Sequence, residues 1–139
     1  MAFAENEVIS GTYGFCYDEN GNEVQGTKSF EAIVEFDKEE VKQAGKFMKG
    51  HKVMAASGSG TLVIHKLDSR LQTKVAANPF GKYNYIGKLA DPTARGEEAV
   101  MYKGVSFDSV ELTKYELGEL VDAEFPFTFD DYEYLQTID

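Results

Sequence analysis

The sequence predicts a mainly β protein of the α+β class. It is an antiparallel two-sheet β-sandwich or barrel of about seven strands, with one flanking α-helix and a long arm between two strands. Three observations carry this expectation. Segments of alternating apolar and polar residues recur along the chain, Asn20-Gly21 supplies a tight-turn signal, and helical spacing appears in one short stretch only. Ten Phe, eight Tyr and three Pro in 139 residues agree with a strand-rich chain, and the length suits a single domain over 1–139.

Residues 10–18 alternate, with Tyr13, Phe15 and Tyr17 on one face and Gly14 and Cys16 on the other. Glu19 to Asn22 read as a turn leading into a partner strand over 25–36, which makes a first hairpin. There Phe30, Ala32, Val34 and Phe36 face one way and Glu31 and Glu35 the other. The arm, 37–60, follows as a long connection without obvious periodicity, of a length typical of functional or disordered segments. Its Val41, Phe47, Met48, Val53 and Met54 are enough for a docked hairpin and too few for a core. Ser57 to Gly60 read as a flexible joint at its base. Residues 61–67 read as a strand, and 68–78 as the helix, capped by Asp68 or Ser69, with Leu71 and Val75 on one face and Asn78-Pro79 as the stop. Further strands are expected over 83–90, 98–107, 109–117 and 121–129. In the last of these, Phe125, Phe127 and Phe129 share a face, and Pro126 points to an edge, a bulge or a strand end.

Charge is divided along the chain. The net charge is −10, yet residues 38–52 carry +3, from Lys38, Lys42, Lys46, Lys49 and Lys52 against Glu39 and Glu40. From Ser109 onward nine acids face one base, Lys114. So acidic a chain does not suit phosphate binding over a broad surface. A basic arm carrying apolar residues on an acidic body suits contact between copies, and Lys42, Lys46, Phe47, Met48, Lys49, His51, Lys52 and Val53 are its candidate contact residues. The edge strand with Phe125, Phe127 and Phe129 is a second candidate contact between subunits.

Candidates for chemistry are few. His51 and His65 have no His or Cys at metal-ligand spacing, so no metal or cofactor is expected. The Gly-rich run 57–60 precedes a strand rather than a helix, unlike a phosphate-binding loop. The single Cys16 reads as a small buried residue. No apolar run approaches the ~18–20 residues of a membrane span. The start of the chain lacks the pattern of a secretion signal, so folding in a cytosol is expected.

Several stretches bear a family likeness. Met48-Lys49-Gly50-His51-Lys52 followed by Gly58-Ser59-Gly60-Thr61 resembles a segment of phage tail tube proteins of the XkdM-like family, found in contractile tails and phage tail-like particles. Ile9-Ser10-Gly11, Phe30 to Val34, Gly104 to Ser109 and Phe125 to Asp131 agree in order. The resemblance implies a structural subunit rather than an enzyme. Six copies would form a ring, rings would stack into a hollow tube, and an arm mobile in the free subunit would fold onto neighbours. It also implies sheath, baseplate and tape-measure partners, with DNA at most a transient cargo. Assembly would take place in the cytoplasm of a host bacterium, followed by residence in a virion tail or a released particle such as a tail-like bacteriocin. Glu31 and Glu35 are candidate lumen-facing groups, since acids there would repel phosphates. The rival readings are a small β-barrel that binds an apolar ligand and an enzyme built on an acidic pair.

Overall fold

The computed structural model describes residues 2–139. Seven strands are laid out in chain order: β1 (Gly14–Tyr17), β2 (Thr27–Val41), β3 (Gly50–His65), β4 (Tyr83–Leu89), β5 (Glu98–Phe107), β6 (Asp122–Phe129) and β7 (Asp131–Gln136). One helix, α1 (Arg70–Ala77), lies between β3 and β4, and two 3-10 turns precede β1. All pairings are antiparallel in the order β1-β4-β5-β6-β3-β2, with β7 added to β5.

Strand β5 joins the two layers because it changes partners along its length. Its first part pairs with β4 on one side and β7 on the other, and its end, Ser106 and Phe107, pairs with β6. The change falls at Gly104, whose φ of 67° is open to glycine at no steric cost. A Cβ at Gly104 would also stand 2.4 Å from Asp130 Oδ2, so the exposed Asp130 side chain would have to move, and the positive φ is what reserves the position for glycine.

The core lies between the layers. On the β2–β3–β6 side, rows of directly paired residues point inward: Phe30, Leu62 and Phe125, then Ala32, Gly60 and Phe127, then Val34, Gly58 and Phe129. The ring of Phe30 reaches across to Tyr102 (5.5 Å between centroids) and also stacks on Phe127 (5.7 Å). Phe107 meets Phe125 edge-on at 5.9 Å, a favoured aromatic geometry. Cys16 is fully buried in this cluster, and burial pushes its thiol up to about 12. It is the inert small residue that its alternation with Gly14 indicates. Val75 of α1 is buried and Leu71 packs on the core; the N-cap Ser69 makes no side-chain capping bond, and the Arg70 amide donates instead to Asp68 Oδ1 at 3.1 Å in an Asx turn.

Four expectations need correction. First, β2 does not pair with β1. The turn forms, with Asp18 Oδ1 accepting the amides of Asn20 and Asn22, and the chain returns to β1 only at Glu23 and Val24. It then crosses to the other layer, where β3 offers a far longer ladder than four-residue β1 can. Second, 37–60 is not an unstructured connection: β2 and β3 stay paired out to Val41 and Gly50. The pattern was hidden because nothing covers this part, so neither face needs to be apolar. Third, Ser109–Leu117 forms no strand. Its alternating residues join none of the strand ladders, and the whole connection from β5 to β6 is loop. Fourth, β7 was not expected as a strand: Tyr132 and Tyr134 alternate with acids there, but the segment is exposed on both faces at the outer edge of β5.

Candidate self-assembly surfaces

The outstanding surface is the hairpin made by the far halves of β2 and β3. Up to Val34 and Gly58 the pair is sheet over a core. From Glu35 and Ser57 outward every residue is exposed as far as Lys49 and His51, apart from half-covered Gly50 at the turn. A shift in register between Asp37 and Lys38 marks a bulge, a feature that twists and bends a paired strand. Residues 42–49 turn the chain, with the Lys46 amide donating to Gln43 O at 3.2 Å.

All eight residues expected in the arm lie here. Lys42, Lys46, Phe47, Met48 and Lys49 are in the turn, and His51, Lys52 and Val53 are on the returning strand. Phe47 is 99% exposed, and Phe36, Met48, Val53 and Met54 are also exposed. Some of the charge is answered locally: Lys49 sits 3.3 Å from Glu40, and Lys52 lies opposite Glu39 in the ladder. Lys42 and Lys46 have no ion-pair partner among the described residues.

Gly58 and Gly60 are not a joint. They are strand residues on the inner face, each covered by a phenyl ring. A Cβ at Gly58 would meet Phe129 at 2.3 Å, and one at Gly60 would meet Glu31 O at 2.2 Å and Phe127 at 2.6 Å. The glycines make room for β2 and the β6 rings to close over β3.

Glu31 and Glu35 lie on the opposite, outer face of β2, beside Thr61 and Ser57 of β3. Ser59 and Thr128 share that face, which is therefore made of small hydroxyl and acidic groups with exposed Ile33 among them. At one end Asp122 lies 2.7 Å from Lys28 Nζ and 3.0 Å from His65 Nδ1. The Lys28 hydrogen bond first, then His65, holds its carboxyl below the usual aspartate range.

The aromatic side chains of β6 are not a contact surface. Phe125, Phe127 and Phe129 are buried in the subunit's own core. What is open on β6 is backbone: β3 pairs with it along its length, whereas β5 pairs only with Phe127 and Thr128. Pro126, with no amide hydrogen, accepts from the Asp108 amide on that open side at 2.8 Å, as an edge position permits.

Two further features escaped the sequence reading. Asp91, buried behind the turn after β4, accepts from the Ser10 amide at 3.0 Å and the Thr93 amide at 2.9 Å, and Thr93 Oγ1 lies 2.7 Å away. These bonds, the one from Ser10 foremost, lower its carboxyl below the ordinary aspartate range. With the Arg95–Glu7 ion pair and Thr93 Oγ1 at 2.9 Å from Asn6 O, they fasten the start of the chain to this turn. The Asp-Pro-Thr order was the available signal, because Asp closing on a residue two places on is a common turn. The second feature is the loop between β5 and β6, where Leu112, Tyr115, Leu117 and Leu120 are exposed. Among the described residues no group of three or more His, Cys, Asp or Glu could hold a metal ion, and no helix is long and apolar enough to cross a membrane.

Comparison with known proteins agrees with this architecture. A family described as phage tail tube protein matches residues 1–136. The phage-like element PBSX protein XkdM of Bacillus subtilis (strain 168) is 32% identical over 146 residues, covering 96% of this chain and 94% of that protein. Among solved structures, the sheath–tube complex of an extracellular contractile injection system in its extended state contains a chain that aligns with a TM-score of 0.74 at 9% identity. The alignment covers 98% of this chain and 100% of that one. A chain in the virion of a native gene transfer agent particle aligns with a TM-score of 0.66 at 11% identity, covering 91% and 98%. At those identities the likeness is one of fold, whereas the family match spans nearly the whole sequence: the chain belongs to the phage tail tube protein family.

Proposed function

We propose that this chain, acting as one domain over 1–139, is the tail tube subunit of a contractile phage tail or phage tail-like particle. Copies close into hexameric rings, and the rings stack into a hollow conduit. The observation that carries this reading is the β2–β3 hairpin, which projects from the body with Phe47, Met48, Lys42 and Lys46 exposed and, among the described residues, nothing to cover or pair with them. Exposed apolar groups on a projecting element mark an interaction site. Open sheet edges support it as well: among the described residues the outer sides of β1, β2 and β7 have no strand partner, and such edges invite pairing with another copy. In a ring, Glu31, Glu35 and the small hydroxyls beside them suit a lumen wall to which DNA does not adhere. A chain of similar fold belongs to a sheath–tube complex, which supports this reading, and sheath, baseplate and tape-measure proteins are the partners this role calls for.

Negative-stain microscopy of the concentrated protein tests the proposal. Rings or tubes are expected, and deletion of residues 42–54 abolishes them while far-ultraviolet dichroism and the melting transition of the body persist. A protein that stays monomeric at every concentration, and binds an apolar ligand instead, sinks it.

A further inference from the structure

The hairpin turn and the β5–β6 loop sit at opposite ends of a single strand. Strand β3 begins at Gly50, beside the turn, and ends at His65, where it pairs with Asp122 as the loop enters β6. The loop is tied to that end by the Lys66 amide donating to Val121 O at 2.9 Å, and by Gln72 Nε2 donating to Leu112 O at 2.7 Å. Sixteen residues of strand span about 50 Å, so one chain's hairpin turn is far from its own loop.

The two ends are opposite in charge and alike in exposing apolar groups. The turn 42–49 holds three lysines and no acid, with Phe47 and Met48 exposed. The loop 108–121 holds Asp108, Glu111, Glu116 and Glu119 against Lys114, with Leu117 99% and Leu120 90% exposed. A patch that pairs charge with apolar surface is the composition of a docking site, and its complement lies at the other end of the same molecule.

We infer that the β5–β6 loop is the receiving surface for the hairpin turn of a second copy, with Leu117 and Leu120 accepting Phe47 and Met48 while Glu116 and Glu119 meet Lys42 and Lys46. This rests on the tube-subunit reading and names its partner surface. A head-to-tail contact between unlike ends of identical molecules, where no rotation closes it into a ring, propagates as a stack, and ends set apart along the length of one strand suit a contact of that kind. The charges set orientation, and the apolar groups supply the area buried.

A charge exchange tests it. K42E/K46E and E116K/E119K alter exposed side chains only, and each is expected to raise the protein concentration needed for tubes by about tenfold. The four substitutions together restore assembly. The E116K/E119K protein forming tubes as readily as the parent, while K42E/K46E does not, overturns the inference and leaves the tube role standing; failure of the unaltered protein to form tubes counts against the role itself. A second measurement needs no charge change. Phe47→Cys with Leu117→Cys, treated with a short bismaleimide, gives a ladder of covalent oligomers, because buried Cys16 does not react. Monomer alone, from protein that has assembled into tubes, refutes the contact.

Discussion

A methyl group added at residue 60 would stand 2.2 Å from the Glu31 carbonyl oxygen and 2.6 Å from the Phe127 ring. Two effects compete there. Glycine inside a strand costs roughly 0.5–1 kcal/mol relative to alanine, which favours replacement. Overpacking a filled interior costs about 1–3 kcal/mol, and here the obstacle is backbone rather than a side-chain tip that can swing aside. The second effect is larger, so Gly60→Ala is expected to destabilise the fold by about 1–2 kcal/mol, read as a lower urea midpoint. An unchanged or raised midpoint contradicts the packing role. This glycine also shows where residue-level reading stopped. A Ser-Gly-Ser-Gly run looks like a hinge because composition reports flexibility; the rings that need the space, Phe127 and Phe129, lie nearly seventy positions away. Cys16 was legible because strict alternation places it beside Gly14 on the inner face of a short strand.

Elements with a buried face were readable, and those without one were not. α1, β4, β5 and β6 fall within a residue or two of where periodicity puts them, since each has apolar groups spaced to meet the core. The outer hairpin and β7 are held by backbone ladders and a few exposed ion pairs, and a ladder leaves no apolar face to read in the sequence. The reverse error fell on 109–117, where alternation was real but the segment enters no ladder. The segment before β1 is held by several ties, of which the buried Asp91 carboxylate is one. Asp91 has a folded pKa below its unfolded value, so its stabilising effect is present above the unfolded value and is lost as pH falls through the folded one. Asp91→Asn is therefore expected to loosen residues 4–13 at neutral pH, seen as faster cleavage at Glu5 and Glu7 by a Glu-specific protease. The difference in melting temperature between variant and parent shrinks below the ordinary aspartate range. Equal cleavage rates at neutral pH would show that the Arg95–Glu7 pair holds the segment without help.

For the molecule as a whole, the division into a basic projection and an acidic body was visible in the sequence, whereas its spatial arrangement was not. Nothing in residue order says that 42–49 and 108–121 stand at the two ends of β3; strand pairing decides it. The smooth outer face of β2 and β3 is likewise a product of register, which sets Glu31 beside Thr61 and Glu35 beside Ser57. Reversing its charge probes that face directly. Tubes of E31K/E35K are expected to assemble and to retain double-stranded DNA at low salt, releasing it as salt rises, while unaltered tubes retain none. Variant tubes that hold no DNA at any salt would place those two carboxylates away from the channel.

The two unlike ends of β3 also give any stack a direction. One terminus of the polymer always shows uncovered prongs and the other uncovered sockets, whatever its length. Addition at the two termini therefore need not be equally fast, and a starter shaped like one of them would launch growth one way only. A stopper would need to recognise the other terminus alone.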